Sequence, residues 1–307
     1  MSPVPAPLTR FEARLVLGLC PAGTRLVRAR YFRHHRYPCP IHVTVALPTG
    51  SRHDFVVRSI FHRKGRLARE VALYPLLARL GLPVPQVLAG PHRDPDAPGS
   101  KPRVVMSLIP GTDLQHLSLR GGRHLVQARD LLIEAVERMH AVTHEVEADP
   151  VVRVIPRGGL AYHLRSLLAR KGPWLRVPFY ADTAARLLPR LERIRTPLVF
   201  SNGDYQPANF LAEDGRLTGL LDFEYAWFED PLYGFCKYPI YDLYPLNGAG
   251  VVEAWLRKHR CSKRDFAPRL ALACLATLNR EITVTAGNHR YRDHVMGLLH
   301  ESLKLIG

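Results

Sequence analysis

The chain reads as an α+β protein of two lobes, a small β-rich front over residues 1–110 and a larger α-helical back over residues 111–307. Three observations predict this. Ahead of Pro110-Gly111, short β-branched and apolar runs bounded by Gly, Pro or charge predominate. Behind it, the apolar period changes to that of amphipathic helices. Within the back, the stretches Leu198–Leu211 and Leu217–Ala226 hold two short apolar runs that read as buried strands, flanking and delivering Asp204, Asn209 and Asp222 to a shared strand end.

Each front element has its own signal. Leu8–Leu19 has helical apolar positions after a Pro-punctuated start. Ile41–Leu47 alternates at period two, Pro48–Arg52 is a turn, and Asp54–Phe61 is the returning strand of a hairpin. Leu67–Leu80 is helical, with Pro75 predicting a kink or break and Gly81–Pro85 ending it. Val84–Ala89 and Arg103–Pro110 read as strands around the Pro- and Asp-rich loop 91–102. In the back, His124–His144 is strongly amphipathic, and further helices are predicted at about 160–170, 181–194, 231–244, 249–260, 265–286 and 292–305.

Composition excludes several classes. With 307 residues and 47% hydrophobic content the chain can bury a large core. No apolar run approaches the roughly 20 residues of a membrane helix, and Met1-Ser-Pro-Val-Pro-Ala-Pro is not a signal pattern, so no membrane partner and a cytoplasmic location are expected. Cys20, Cys39, Cys236, Cys261 and Cys274 are scattered without a CxxC pair, which argues for reduced thiols over a disulfide framework or structural zinc. The cluster His34, His35, Cys39 and His42 fits no common zinc spacing. The formal charge is +16, yet residues 191–307 carry as many acids as bases, so the whole excess lies in the first 190 residues. It serves either as a solvated Arg-rich surface or as a face for an anionic partner.

An acid, an amide five positions later and a second acid after a strand suit a magnesium-phosphate site. Mg²⁺ takes one or two carboxylates plus phosphate oxygens, and a third polar group orients the attacking hydroxyl. The residues then reach a family. Asn202-Gly-Asp-Tyr-Gln-Pro-Ala-Asn209 resembles the catalytic loop of the aminoglycoside phosphotransferase and choline kinase superfamily, usually His-Gly-Asp-Leu-His-Pro-Gly-Asn. Leu221-Asp-Phe-Glu-Tyr-Ala226 resembles its metal-binding segment, and Asp230-Pro231 the Asp-Pro beyond. Arg69–Leu73 with Leu82–Pro85, Val104–Gly111 and Arg138-Met-His140 resemble the N-lobe helix and its exit, the interlobe hinge and the end of the first C-lobe helix.

The resemblance implies a protein-kinase-like fold, ATP and Mg²⁺ as cofactors, and phosphoryl transfer to a small-molecule hydroxyl of an aminoglycoside, amino alcohol, sugar or natural product. It implies a nucleotide-binding lobe at 1–110 and a catalytic, substrate-binding lobe at 111–307. Asp204 takes the role of the base, and Asn209 and Asp222 those of the Mg²⁺ ligands. Glu70, the only Glu between Ala13 and Ile133, is the helix carboxylate, and Arg58 stands where the family has Lys. The backbone of Met106, Ser107 and Leu108 takes the adenine edge.

The sequence departs from the pattern at Asn202 and Gln206, which replace the two loop histidines. No glycine lies between Gly23 and Gly50, where a phosphate-covering loop belongs; Arg33, His34, His35 and Arg36 occupy that region, as a solvated basic loop or as phosphate contacts. These departures keep open a nucleotide-binding pseudokinase or regulatory protein without efficient transfer. A nucleic-acid module using the basic front is a third reading that no recognised motif supports. Tyr225, Trp227, Tyr233, Tyr238, Tyr241 and Tyr244 read as helix packing, with one or two of them, or Glu224, Glu229, Asp230 or Asp242, near the acceptor or the metal.

Overall fold

The computed structural model describes residues 8–32, 40–59, 66–150, 155–243, 245–284 and 289–307. Arg33–Arg36, Cys39 and Tyr244, singled out above, lie outside them. The chain forms two compact units: Met1–Gly111 with Ala148–Val154 and Leu211–Glu224, and Thr112–Glu147 with Ile155–Phe210 and Tyr225–Gly307.

In the first unit, α1 (Arg10–Leu17) starts on a capping box. Thr9 Oγ1 accepts from the Glu12 amide at 3.1 Å, and Glu12 Oε2 accepts from the Thr9 amide at 2.9 Å. The other Glu12 oxygen takes Arg103 Nε at 2.5 Å, and both residues are buried. One carboxylate thereby caps a helix and anchors it to the sheet. That sheet has five strands in the order β1–β2–β3–β5–β4, all antiparallel: β1 (Arg25–Tyr31), β2 (Ile41–Ala46), β3 (Arg52–Ser59), β4 (Val87–His92) and β5 (Arg103–Ser107).

The register sets Val43 opposite Phe55 and Val57 opposite Val105, and these four pack with Val16, Tyr31, Ile41 and Val45 as the core. His42 and Thr44 are buried polar residues of β2, satisfied by Asp54 at 2.7 and 2.6 Å. Arg30 donates to the other nitrogen of His42 at 3.2 Å, so both ring nitrogens have protein partners.

The strand β1 is absent from the sequence reading. Its residues, Arg-Leu-Val-Arg-Ala-Arg-Tyr, are exposed over the first four positions and lie at the sheet edge, so burial leaves no period-two signature. The helix α2 (Arg66–Arg79) runs on through Pro75, with Leu73, Tyr74, Leu76 and Leu77 buried. A hairpin of β8 (Phe210–Glu213) and β9 (Arg216–Leu220) is tied to the same unit from late in the chain. Leu220 N donates to Pro83 O at 2.7 Å and Thr218 Oγ1 to Pro110 O at 2.8 Å. Asp222 follows directly from that anchored strand.

The second unit is helical. After β6 (Thr112–Asp113) and α3 (Leu114–Ser118), the predicted amphipathic stretch forms α4 (Gly122–Ala141), then turns at Val142 into α5 (Thr143–Ala148). The α4 stripe Ala128, Leu132, Ala135, Val136 and Met139 is buried. Thr143 Oγ1 donates to His140 O at 2.6 Å and accepts from the Phe200 amide at 3.0 Å, which fixes β7 (Val199–Ser201) to the end of α4. Strand β10 (Trp227–Glu229) pairs antiparallel with β7, Phe228 opposite Phe200. Around them lie α6 (Leu160–Ala169), α7 (Pro178–Arg193), α8 (Lys237–Tyr241), α9 (Val251–Lys258), α10 (Lys263–Val284) and α11 (His289–Ile306), with Trp174 and Trp255 fully buried among them. Among the described residues no helix is long and apolar enough to cross a membrane.

Candidate active site

The loop after β7 lies within the second unit. Asn202 is fully buried and clasps the loop with both ends of its amide: Nδ2 donates to Asp204 O and Oδ1 accepts from Asp204 N, each at 3.1 Å. The residue that replaces a family histidine therefore holds the backbone of the candidate base. Gly203 stands at φ +73°, and a Cβ there would lie 2.1 Å from Tyr225 O, so the turn admits only glycine. Its amide donates to Ser201 Oγ at 2.9 Å. Asn209 Nδ2 donates to Asp204 O at 3.0 Å, a third tether on the backbone of the same residue.

The Asp204 carboxylate is held at one oxygen. Oδ1 accepts from the Lys237 ammonium and from the Gln206 amide at 3.3 Å. Tyr205, the next residue, is buried, bonded through its hydroxyl to His140 Nε2 at 2.9 Å and through its carbonyl to the Tyr238 hydroxyl at 2.8 Å. Burial pushes His140 down to about 3, with His259 adding to the effect, so it is a neutral imidazole. Beneath the loop, Glu229 is buried on β10; burial pushes its carboxyl up to about 7 against the pull of the Ser201 hydroxyl, and Asp230 pushes the same way as burial.

Asp230 itself is buried and gripped by Arg269, Nε to Oδ1 at 2.8 Å and Nη2 to Oδ2 at 2.7 Å. The Asp-Pro motif thus anchors α10. Glu229 is likewise enclosed, whereas Asp242, capping α8 at φ +42°, is exposed and accepts from Asn247 at 2.9 Å.

The first unit, by itself, holds a cationic knot. Arg58 on β3 donates Nη1 to Glu70 Oε1 at 2.6 Å and Nη2 to Asp222 Oδ1 at 2.9 Å, with Glu224 3.9 Å from Nη2. Glu70 Oε1 also accepts from the Tyr74 hydroxyl at 2.5 Å and the Phe223 amide at 3.3 Å. Burial alone would lower the Arg58 guanidinium, but Glu70 first, then Tyr74 and Asp222, raise it well above its usual value, so the cation is permanent. Burial raises the Glu70 carboxyl in turn, against the pull of Arg58. Asp222 stands at φ +62°, a conformation tolerated by Asp, and this turns its side chain back toward β3.

The structure therefore brings Arg58, Glu70 and Asp222 together in the first unit, and Asp204 with Asn209 in the second. Met106 and Ser107 close the β5 ladder; the Ser107 amide donates to Gln86 O and its hydroxyl accepts from Gln86 N, both at 2.9 Å, and Leu108 follows beyond the last pair. Sequence reasoning missed Tyr74 and Lys237. Tyr74 lies four residues after Glu70 on one helix, a spacing that signals a side-chain pair. For Lys237 no local signal exists. The donor chemistry suits a hard cation: Asn209 commits its NH₂ to Asp204 O, which leaves an amide oxygen, and Asp222 Oδ2 has no partner among the described residues. Among those residues no group of three or more His, Cys, Asp or Glu side chains is gathered for a metal.

The sequence profile described as the phosphotransferase enzyme family matches residues 42–267. No curated protein matches the chain by sequence. Among solved structures, a thermostable mutant of aminoglycoside phosphotransferase APH(4)-Ia in ternary complex with AMP-PNP and hygromycin B is 16% identical, covers 95% of this chain and 97% of its own, and superposes at a TM-score of 0.67. The GDP and kanamycin complex of APH(2")-IIIa is 17% identical over 97% of this chain and 100% of its own, at a TM-score of 0.60. At this identity the likeness establishes the fold, which is two-lobed, protein-kinase-like and α+β.

Proposed function

The chain belongs to the phosphotransferase enzyme family, and on that premise we propose that it moves the γ-phosphoryl group of ATP to a hydroxyl of a small molecule. Residues 1–110 bind the nucleotide and residues 111–307 carry the acceptor and the base. Phosphoryl transfer needs position and charge neutralisation more than covalent help. Asp204 orients the acceptor hydroxyl and receives its proton. Asn209 and Asp222 hold Mg²⁺, which supplies neutralising charge to the phosphate oxygens when bound. Arg58, fixed by Glu70, meets a phosphate, and the backbone from Met106 through Ser107 to Leu108 takes the adenine edge.

The observation that carries this reading is the threefold tethering of the Asp204 backbone by Asn202 and Asn209, with one carboxylate oxygen bound and the other unpartnered among the described residues. A side chain so restrained suits a base whose acceptor must be placed to within a fraction of an ångström. The nucleotide and aminoglycoside complexes of the similar structures support a nucleotide donor and a small hydroxylated acceptor. The competing reading, a nucleotide-binding protein without efficient transfer, draws on the Arg58–Asp222 bond, which engages one of the two metal ligands.

The deciding experiment supplies labelled ATP and Mg²⁺ with hygromycin B, kanamycin and a panel of amino alcohols, sugars and hydroxylated natural products, to wild type and Asp204→Ala. Phosphorylated product that disappears in Asp204→Ala supports transfer. Nucleotide binding with no Asp204-dependent product on any acceptor overturns it.

A further inference from the structure

We propose that Lys237 is a positioning residue for phosphoryl transfer, fixing which oxygen of Asp204 meets the acceptor; this rests on the reading of Asp204 as the base. Lys237 and the Gln206 amide both take Oδ1, and Oδ2 has no partner among the described residues. The Asp204 backbone is clamped by Asn202 at both its amide and its carbonyl, and by Asn209 at the carbonyl. With the backbone and one oxygen held, the second oxygen has a single place to be. The side chains are 22% and 21% exposed, enough for an acceptor to reach Asp204 and too little for salt to screen the pair fully.

Lys237 is not a loose surface lysine. Three residues before it, Gly234 lies so close to the loop that a Cβ there would stand 2.5 Å from the Tyr205 ring. One residue after it, Tyr238 donates its hydroxyl to Tyr205 O at 2.8 Å. Both flanks of Lys237 are thus fastened to the residue next to Asp204, and α8 delivers the ammonium to the carboxylate as part of a packed unit.

In the transfer step the acceptor oxygen forms its bond to the γ-phosphorus while the bond from that phosphorus to the β–γ bridging oxygen breaks. The electron pair of the broken bond stays on ADP, and the acceptor proton passes to Asp204 Oδ2. Lys237 exchanges no proton and no atom in the step. It stops the carboxylate from rotating away and directs proton affinity to the oxygen that faces the acceptor.

The test compares Lys237→Met, Lys237→Arg and Lys237→Ala with wild type and Asp204→Ala, using ATP and the acceptor panel above. Lys237→Met is expected to lose roughly 10²-fold in kcat, a typical share for a positioned proton acceptor. The KM for ATP should move by less than about threefold, because nucleotide binding is spared. Lys237→Arg should recover activity to within about tenfold of wild type, and added ethylammonium should raise kcat in Lys237→Ala. Wild-type kcat in Lys237→Met alongside an inactive Asp204→Ala overturns the proposal and leaves the role of Asp204 standing. A loss that neither arginine nor ethylammonium repairs assigns Lys237 to the fold and also overturns it. Should wild type phosphorylate nothing on the panel, the functional reading fails separately. The pairing is then judged by acetylation of Lys237 with acetic anhydride, where several-fold faster reaction in Asp204→Asn supports it and equal rates refute it.

Discussion

Arg58 Nη2 lies 2.9 Å from Asp222 Oδ1, joining a strand of the five-stranded sheet to a residue 164 positions later. The bond needs a fork, because the other arm of the same guanidinium is already on Glu70 at 2.6 Å. A lysine is a point charge on a flexible stem and cannot serve both carboxylates in this geometry.

Arg58→Lys is therefore expected to keep partial activity, roughly tenfold below wild type in kcat/KM, with most of the change in the KM for ATP. Arg58→Ala strands the fully buried Glu70 without its cation. It should cost about 3 kcal/mol of folding stability in addition to abolishing turnover. Urea denaturation and steady-state kinetics on the two variants check both parts; an Arg58→Ala protein as stable as wild type contradicts the pairing.

The parts of this architecture that could be read from the chain are those with a periodic or local signal. The α4 stripe from Ala128 to Met139 repeats at helical spacing, and the candidate loop declares itself through Asn202-Gly-Asp followed by Asn209. Glu70 stands out because no other Glu lies near it. The rest depends on tertiary neighbours. Strand β1 alternates only over Val27–Tyr31, and it is an edge exposed over its first four residues, so its pairing with β2 is what identifies it as a strand. Pro75 does not break α2. Tyr74 belongs to the apolar face of that helix, yet its hydroxyl ends on Glu70. Lys237 and Asp204 are 33 residues apart, and nothing local in either segment announces the other.

Glu229 gives stability a pH dependence of known sign. Its carboxyl is pushed from an ordinary 4.5 up to about 7 in the folded protein. Between those values the native state keeps a proton that the unfolded chain has released, so this group's contribution falls as pH rises through the window and is flat above it. The span amounts to about 3 kcal/mol. Glu229→Gln, which keeps the shape and an acceptor for the Ser201 hydroxyl, should gain on wild type by up to that amount between about pH 4.5 and pH 7. Chemical denaturation of both proteins across the range is the measurement, and a constant difference rules the assignment out.

His140 acts in the opposite direction. Its folded value is depressed to about 3 from an ordinary 6.5, so below 6.5 the unfolded chain takes up a proton that the native state refuses. Stability is lost as pH falls, by about 2 kcal/mol between pH 6.5 and pH 5. His140→Gln retains a partner for the Tyr205 hydroxyl and removes the titration, so it should unfold less readily in acid relative to its own neutral-pH stability. An unchanged acid slope contradicts this.

Arg269 and Asp230 set the last expectation, because Asp230, one of several residues the sequence offers near the acceptor, is a buried anchor. Both arms of the guanidinium lie on the two Asp230 oxygens at 2.7 and 2.8 Å, and Arg269 also reaches Thr196 Oγ1 at 3.0 Å and Asp265 O at 2.6 Å. Arg269→Ala leaves a buried carboxylate unpaired and should cost about 3–5 kcal/mol. Arg269→Lys supplies charge without the fork and should still lose roughly half of that. Because Asp230 also follows β10, whose Trp227 pairs with Ser201 just before the Asp204 loop, the loss should appear first in local opening there. Hydrogen exchange of residues 199–230 in Arg269→Lys is expected to quicken relative to α4. Uniform exchange across the second unit would mean that the anchor serves the whole fold and gives the loop no particular support.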